Sequence, residues 1–188
     1  MTKLLKRNVS VSSFSIKKMP ENISEIREAI GRFAFKKLDP ADVRDESTGW
    51  VDAMQCFDSE KFSSLLHDRF LIFAVRTDKY SFSASTLRPY LEEAEYLYKK
   101  ENNTEYLAAQ VRKEIKEGVI RKMKMNSFPK TTVTEVAVDS LSGTVYLFSQ
   151  SSPIVIKFTD MFEKTFETSL TNISLTDGVK ENGLKEKM

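Results

Sequence analysis

The sequence is poor in the side chains that most often carry chemistry, with one cysteine and one histidine among 188 residues. Cys56 has no second cysteine for a disulfide and no nearby histidine for a zinc site, so we interpret it as a small buried apolar residue. His67 lies beside Asp68, just before a predicted strand, which is more typical of a loop residue than of a general base. We therefore predict no enzyme activity, no cofactor and no metal ion.

Glycine motifs and long apolar runs are missing as well. The six glycines are scattered and form neither a dinucleotide-binding pattern nor a P-loop, which excludes the familiar phosphate-binding loops. No stretch of about 18 apolar residues could span a bilayer. The first twenty residues also lack the apolar core of a secretory signal. We expect a cytoplasmic protein that does not contact a membrane.

One cluster of acids keeps a metal-dependent nuclease open as a hypothesis. Asp39, Asp42, Asp45 and Glu46 could bind magnesium, since paired carboxylates can hold the ions that flank a phosphodiester. All four lie in one short predicted loop, and no second acidic cluster follows a predicted strand. A solvated acidic loop is the favoured interpretation.

Charge is present but unevenly distributed. The net charge is only +2, yet residues 97–130 hold nine Lys or Arg against four Asp or Glu. A basic stretch of this kind indicates either contacts with phosphate or a solvated helix face. The residues alone leave both interpretations open.

Hydrophobic periodicity predicts an α+β fold, with an antiparallel or mixed sheet packed with helices and a projecting helical hairpin. Strands are expected at residues 9–18, 69–77, 131–139 and 144–149, with a short extended segment at 49–51. Helices are expected after a cap at Asn22 or Ser24, around 87–98 and 107–123, and over 153–170. The side chains of the last helix that should face inward are Phe158, Met161, Phe162, Thr165 and Phe166.

These elements predict a division of the chain into three parts. Residues 1–83 and 126–170 together form one α+β domain, and residues 84–125 form an inserted helical hairpin. Residues 171–188 are polar and are expected to be a flexible tail.

The second hairpin helix is predicted to pack with one side and to present positive charge with the other. Its apolar residues recur at four-residue steps from Leu107 to Met123. A wheel at 100° per residue places its Lys and Arg mostly on the opposite side. The predicted phosphate-binding side chains of this region are Lys99, Lys100, Arg112, Lys113, Lys116, Arg121, Lys124 and Lys130, with the hydroxyls of Thr131, Thr132 and Thr134 beside them. Phosphate contacts carry no sequence information, so double-stranded DNA would be bound unselectively and in a salt-dependent way.

Several short segments occur in the order, and nearly at the spacing, of a known family. They are Ala34-Phe35, Gly49-Trp50-Val51, Ala74-Val75-Arg76-Thr77-Asp78-Lys79 leading into Ser83-Ala84-Ser85, Ile115-Lys116-Glu117-Gly118-Val119, Ser127-Phe128-Pro129-Lys130, and Val136 to Gly143. Over roughly residues 10 to 170 the chain resembles the RdgC-type recombination-associated proteins of bacteria. It looks like a shortened member that covers about the N-terminal half of the family's usual chain.

The resemblance implies a homodimer that closes into a ring around double-stranded DNA at the nucleoid and restrains a RecA-type recombinase during homologous recombination. Phe128 matches a phenylalanine of the family's dimer contact. Arg76, Lys79 and Lys130 match positions that tend to be basic. The chain departs from the family pattern at Met125-Asn126, where a Pro-Arg pair is usual, and the helical tip at residues 90–103 is less basic.

A second hypothesis comes from a different class of function. The chain could be a protein-interaction module that pairs with a recombination protein or with a full-length homologue and does not contact DNA itself.

Overall fold

The computed structural model describes residues 10–17, 19–20 and 22–173. Its elements in chain order are β1 (Ser12–Ile16), α1 (Ile23–Arg32), β2 (Glu46–Val51), β3 (Leu66–His67), β4 (Phe70–Lys79), α2 (Ala84–Glu101), α3 (Ala109–Met125), β5 (Lys130–Asp139), β6 (Thr144–Leu147), α4 (Ser152–Phe166) and β7 (Leu170–Asn172). The four helices and the antiparallel sheet confirm the predicted α+β class.

The strands form one sheet in the order β2-β4-β5-β6-β1-β7, with β3 paired to β4. The predicted hairpin is β5 and β6, which pair in antiparallel register with Val138 opposite Val145. Gly143 completes its turn with a positive φ of 65°, a backbone conformation that glycine adopts without strain. The sequence pattern did not predict β3 and β7, because strands of two and three residues are too short to show an alternation.

The described residues fall into two compact units. The core unit takes its described residues from the ranges 1–36, 48–77 and 132–188, and the helical unit comprises residues 37–47 and 78–131. The three-part division expected from the sequence stays a prediction. Thr171 and Asn172, the first residues of the expected tail, belong to β7, and residues 174–188 lie outside the described residues.

Aromatic side chains fill the centre of the core unit. Trp50 is fully buried, its ring meets that of Phe73 edge-on at 5.0 Å, and its Nε1 donates a hydrogen bond of 2.8 Å to the hydroxyl of Thr165. Helix α4 supplies this hydroxyl together with the four other side chains predicted to face inward, and all five are buried. Gly49 allows the neighbouring backbone to approach, since a Cβ there would lie 2.4 Å from the Cα of Phe35.

Two helices, α2 and α3, make up most of the helical unit. The side chain of Ser83 caps α2 by accepting a hydrogen bond from the N–H of Thr86, as is usual for serine at this position. Residues 102–108 connect α2 to α3. The predicted pair of helices is therefore present. Helix α2 is longer than the apolar stripe that indicated it, whereas α3 begins and ends two residues after its stripe of residues 107–123. No described helix is long and apolar enough to cross a membrane.

Candidate nucleic-acid interface

Helix α3 presents four of the predicted cations to solvent. Arg112, Lys113, Lys116 and Arg121 are all exposed, and they span about 14 Å of the helix axis at 1.5 Å per residue. Lys113 and Lys116 point within about 60° of each other around the axis, whereas Arg112 and Arg121 point about 180° apart. Arg112 and Lys116 point within about 40° of each other, so Arg112, Lys113 and Lys116 lie on one side of the helix.

Acidic side chains interrupt this surface. Glu114 and Glu117 are exposed on α3, and Glu114 accepts a hydrogen bond from Gln110. Around the axis, Glu117 points between Lys113 and Arg121. The exposed surface of α3 is thus mixed in sign, with an excess of positive charge, rather than a continuous row of cations.

Lys124 does not belong to this surface, and its assignment to phosphate binding is corrected. Its side chain is 4% exposed, and its Nζ lies 2.6 Å from an Oδ of Asp45. The same ammonium donates hydrogen bonds to the carbonyl oxygens of Asp42 and Arg44, both at 3.1 Å, and lies over the ring of Tyr80. With three oxygen acceptors, all three N–H groups of the ammonium have a partner. Lys124 anchors the segment 42–45 to the C-terminal end of α3.

Lys122 is an exposed cation that sequence reasoning missed. On the helical wheel it points to the same side as the apolar stripe, so the wheel did not select it as an outward cation. In the structure it lines a groove of about 550 Å³ between α2 and α3. Tyr90, Leu97 and Met123 contribute apolar surface to the groove.

Two of the remaining predicted cations lie on β4 and have partners. Lys79 forms an ion pair of 3.4 Å with Glu46, and both residues are in the helical unit. Arg76 belongs to the core unit, where its guanidinium lies 4.4 Å from the ring centre of Phe35 and donates a hydrogen bond to the carbonyl oxygen of Cys56. Part of the hydrogen-bonding capacity of Arg76 is thus used within the protein.

Three predicted cations lie at the ends of elements. Lys99 and Lys100 are in the last turn of α2, where a positive charge also interacts favourably with the helix dipole. Lys130 is exposed at the start of β5, next to exposed Thr131 and Thr132.

Thr134 was expected to contribute a hydroxyl beside these residues. It is only 7% exposed, and this expectation is corrected. The alternating pattern of β5 turns its side chain to the buried face of the strand.

Phe128 follows α3 and is 96% exposed. Burial of this ring against another molecule would remove apolar surface from water, which is favourable.

Three of the four acidic residues proposed for a magnesium site, Asp42, Asp45 and Glu46, are paired with basic side chains. Asp42 accepts two side-chain hydrogen bonds from Arg44, and these bonds lower the pKa of Asp42. Asp45 is paired with Lys124. Within the described part of the chain, no group of three or more His, Cys, Asp and Glu side chains is placed to hold a metal ion.

The isolated cysteine and histidine lie on the surface. Cys56 is exposed rather than buried, because it lies in a turn between Asp52 and Asp58. The backbone N–H of Asp52 closes this turn by donating a hydrogen bond of 2.8 Å to the carbonyl oxygen of Asp58. His67 is exposed in the short strand β3.

Fold and surface together define an α+β protein in which one helix, α3, displays an excess of positive charge. The family model described as "Putative exonuclease, RdgC" matches residues 5–181. The chain belongs to the RdgC family, which confirms the resemblance found in the sequence and indicates a role related to recombination. A search of curated proteins finds no match.

Proposed function

We propose that this protein binds double-stranded DNA through the backbone phosphates, without reading the base sequence. The observation that carries the proposal is the exposure of Arg112, Lys113, Lys116 and Arg121 along one helix. Cations on exposed, flexible side chains suit phosphate oxygens, and each phosphate neutralised releases condensed counterions from the duplex. Family membership supports a recombination-related setting for such binding.

We further propose that the protein acts as a nucleoid-associated homodimer and restrains a RecA-type recombinase by occupying DNA, with no catalysis of its own. Exposed Phe128 is the observation that favours a contact between two copies. The solution mass of the protein, measured by light scattering with and without a duplex, tests this part. A dimer mass in both conditions is expected, and a monomer in both would contradict it.

A salt titration of two variants tests the DNA contact. Fluorescence anisotropy with unrelated duplexes would compare the native chain with Lys113→Gln/Lys116→Gln. Each lost phosphate contact should reduce the slope of log K against log salt by about 0.9, so the double variant should lose about 1.8. The reduction in affinity should be the same for every duplex sequence.

The matched control is Lys157→Gln/Lys164→Gln on α4, which removes the same charge from the core unit. Its slope should change much less. Absence of binding by the native chain at low salt, or equal losses in both double variants, would overturn the proposed interface. Release of nucleotides from the duplex in the presence of magnesium would contradict the absence of catalysis.

The protein-interaction module stays the alternative function, and the groove between α2 and α3 is the observation in its favour. Several of the apolar side chains that line the groove are unusually exposed, with Tyr90 at 52% and Leu97 at 46%. Capture of a recombination protein that is unaffected by nuclease treatment, together with no DNA binding, would favour this alternative.

A further inference from the structure

Acids of a single segment neutralise two of the cations predicted to bind phosphate. Glu46 pairs with Lys79 at 3.4 Å, and Asp45 pairs with Lys124 at 2.6 Å. All four residues belong to the helical unit. The segment therefore supplies carboxylates at positions where a phosphate would otherwise find a cation.

The two pairs differ in how open they are to a competing anion. The side chain of Lys124 is 4% exposed, which closes its ammonium to any ligand. Lys79 is 56% exposed and Glu46 is 29% exposed, so this pair lies at the surface. Exposed ion pairs contribute little to stability, so a phosphate can displace the carboxylate but must compete with it.

Neighbouring contacts hold Glu46 beside Lys79. One residue before Glu46, the carbonyl oxygen of Asp45 accepts a hydrogen bond of 2.8 Å from the N–H of Tyr80. Strands β2 and β4 are antiparallel neighbours in the sheet. Because Asp45 pairs with Tyr80, the residue that follows Asp45 lies directly opposite the residue that precedes Tyr80, which places Glu46 opposite Lys79. The carboxylate is therefore fixed by the fold next to the cation.

From this geometry we infer that Glu46 is a built-in competitor for phosphate at Lys79, which lowers the affinity of the protein for DNA. The inference rests on the proposed function, because it requires Lys79 to meet phosphate. Its effect is to make binding at this cation conditional on breaking an internal pair. DNA occupancy would then be weaker and more easily reversed than the number of exposed cations suggests.

A double-mutant cycle tests the inference on the full chain, with duplex affinity at low salt as the measurement. Glu46→Gln should tighten binding by about three- to fivefold, the effect of removing one exposed ion pair together with a repulsive charge. Glu105→Gln, which removes an exposed acid of the same unit and changes the net charge equally, should tighten binding less than twofold. In a Lys79→Gln background, Glu46→Gln should lose most of its effect.

The possible results separate this inference from the proposed function. No binding by the native chain refutes the proposed function itself. If the native chain binds but Glu46→Gln binds no tighter than Glu105→Gln, the inference alone is overturned. The same holds if Glu46→Gln tightens binding equally in the Lys79→Gln background. Glu46→Asp, which keeps the charge and shortens its reach, should give a smaller gain, and it replaces Glu46→Gln if circular dichroism shows that the latter is unfolded. No gain from any folded variant at position 46 also overturns the inference.

Discussion

The two units are built by different means. Among its described residues, the core unit buries a cluster of eighteen apolar side chains in which aromatic rings from the sheet and from α4 meet. In the helical unit, α2 buries no residue, and α3 buries only Val119 and Lys124. Apolar burial therefore stabilises the core unit, whereas caps and ion pairs have a larger share in the helical unit. Because α2 and α3 have few buried positions, most of their positions can carry charged residues.

The largest effect is expected in the core unit. Trp50→Ala removes a fully buried ring together with its hydrogen bond to Thr165, and it should lower the free energy of unfolding by about 3–5 kcal/mol. Urea denaturation followed by circular dichroism measures the change. Val43→Ala, in the helical unit, truncates a side chain that is 94% exposed and should change stability by less than about 0.5 kcal/mol. A loss below about 1 kcal/mol for Trp50→Ala would break the comparison.

An intermediate effect is expected at the buried cation of the helical unit. Lys124→Met removes the ammonium but keeps the apolar stem, and it leaves the carbonyl oxygens of Asp42 and Arg44 without this donor. We expect the free energy of unfolding to fall by about 2 kcal/mol. This loss is smaller than for a fully buried ion pair, because the Asp45 carboxylate is 62% exposed and can be solvated again.

Hydrogen exchange of residues 37–47 should show the same change locally. The matched control is Lys113→Met on the same helix, where the side chain is exposed and the expected loss is near zero. Equal stability of the two variants would mean that the anchor contributes nothing.

The smallest effect concerns pH in the core unit. Burial alone would raise the pKa of Asp52, but hydrogen bonds from Ser64, Met54 and Gln55 outweigh it and lower this pKa. A carboxylate whose pKa is lower in the folded state contributes stability that is complete above its unfolded pKa of about 3.9 and is lost as pH falls through the folded value. We expect a contribution of about 1 kcal/mol. Thermal unfolding from pH 6 to pH 2 should therefore lose less stability in Asp52→Asn than in the native chain, and parallel curves would contradict this.

Much of the fold could be predicted because its signals are local. Helix α4 follows from the spacing of its apolar residues, since a helix on a sheet must bury one continuous stripe. The β5–β6 hairpin follows from alternation on both sides of a turn that contains Gly143. The expectation for Cys56 was wrong because its residue type is usually buried, while its position in a turn exposes it.

In the candidate interface as well, a local pattern predicted the exposure of some cations but missed the burial of another. A helical wheel identified Lys113 and Lys116 as outward, and the structure agrees because nothing in the helical unit covers that part of α3. The wheel puts Lys124 only about 20° from Lys113, yet Lys124 is buried. The segment that covers it comes about eighty residues earlier in the chain.

What the sequence by itself determined is the class of fold, the family, and the helix that carries the excess of positive charge. Periodicity, charge and motif order are properties of neighbouring residues, and they can be identified in the sequence without any knowledge of packing. Only the tertiary structure decided which cations are available, because burial and ion pairing depend on segments far apart in the chain. Lys124 was assigned from a helical wheel and Lys79 from the family resemblance, and in the structure both are paired with acids, Asp45 and Glu46.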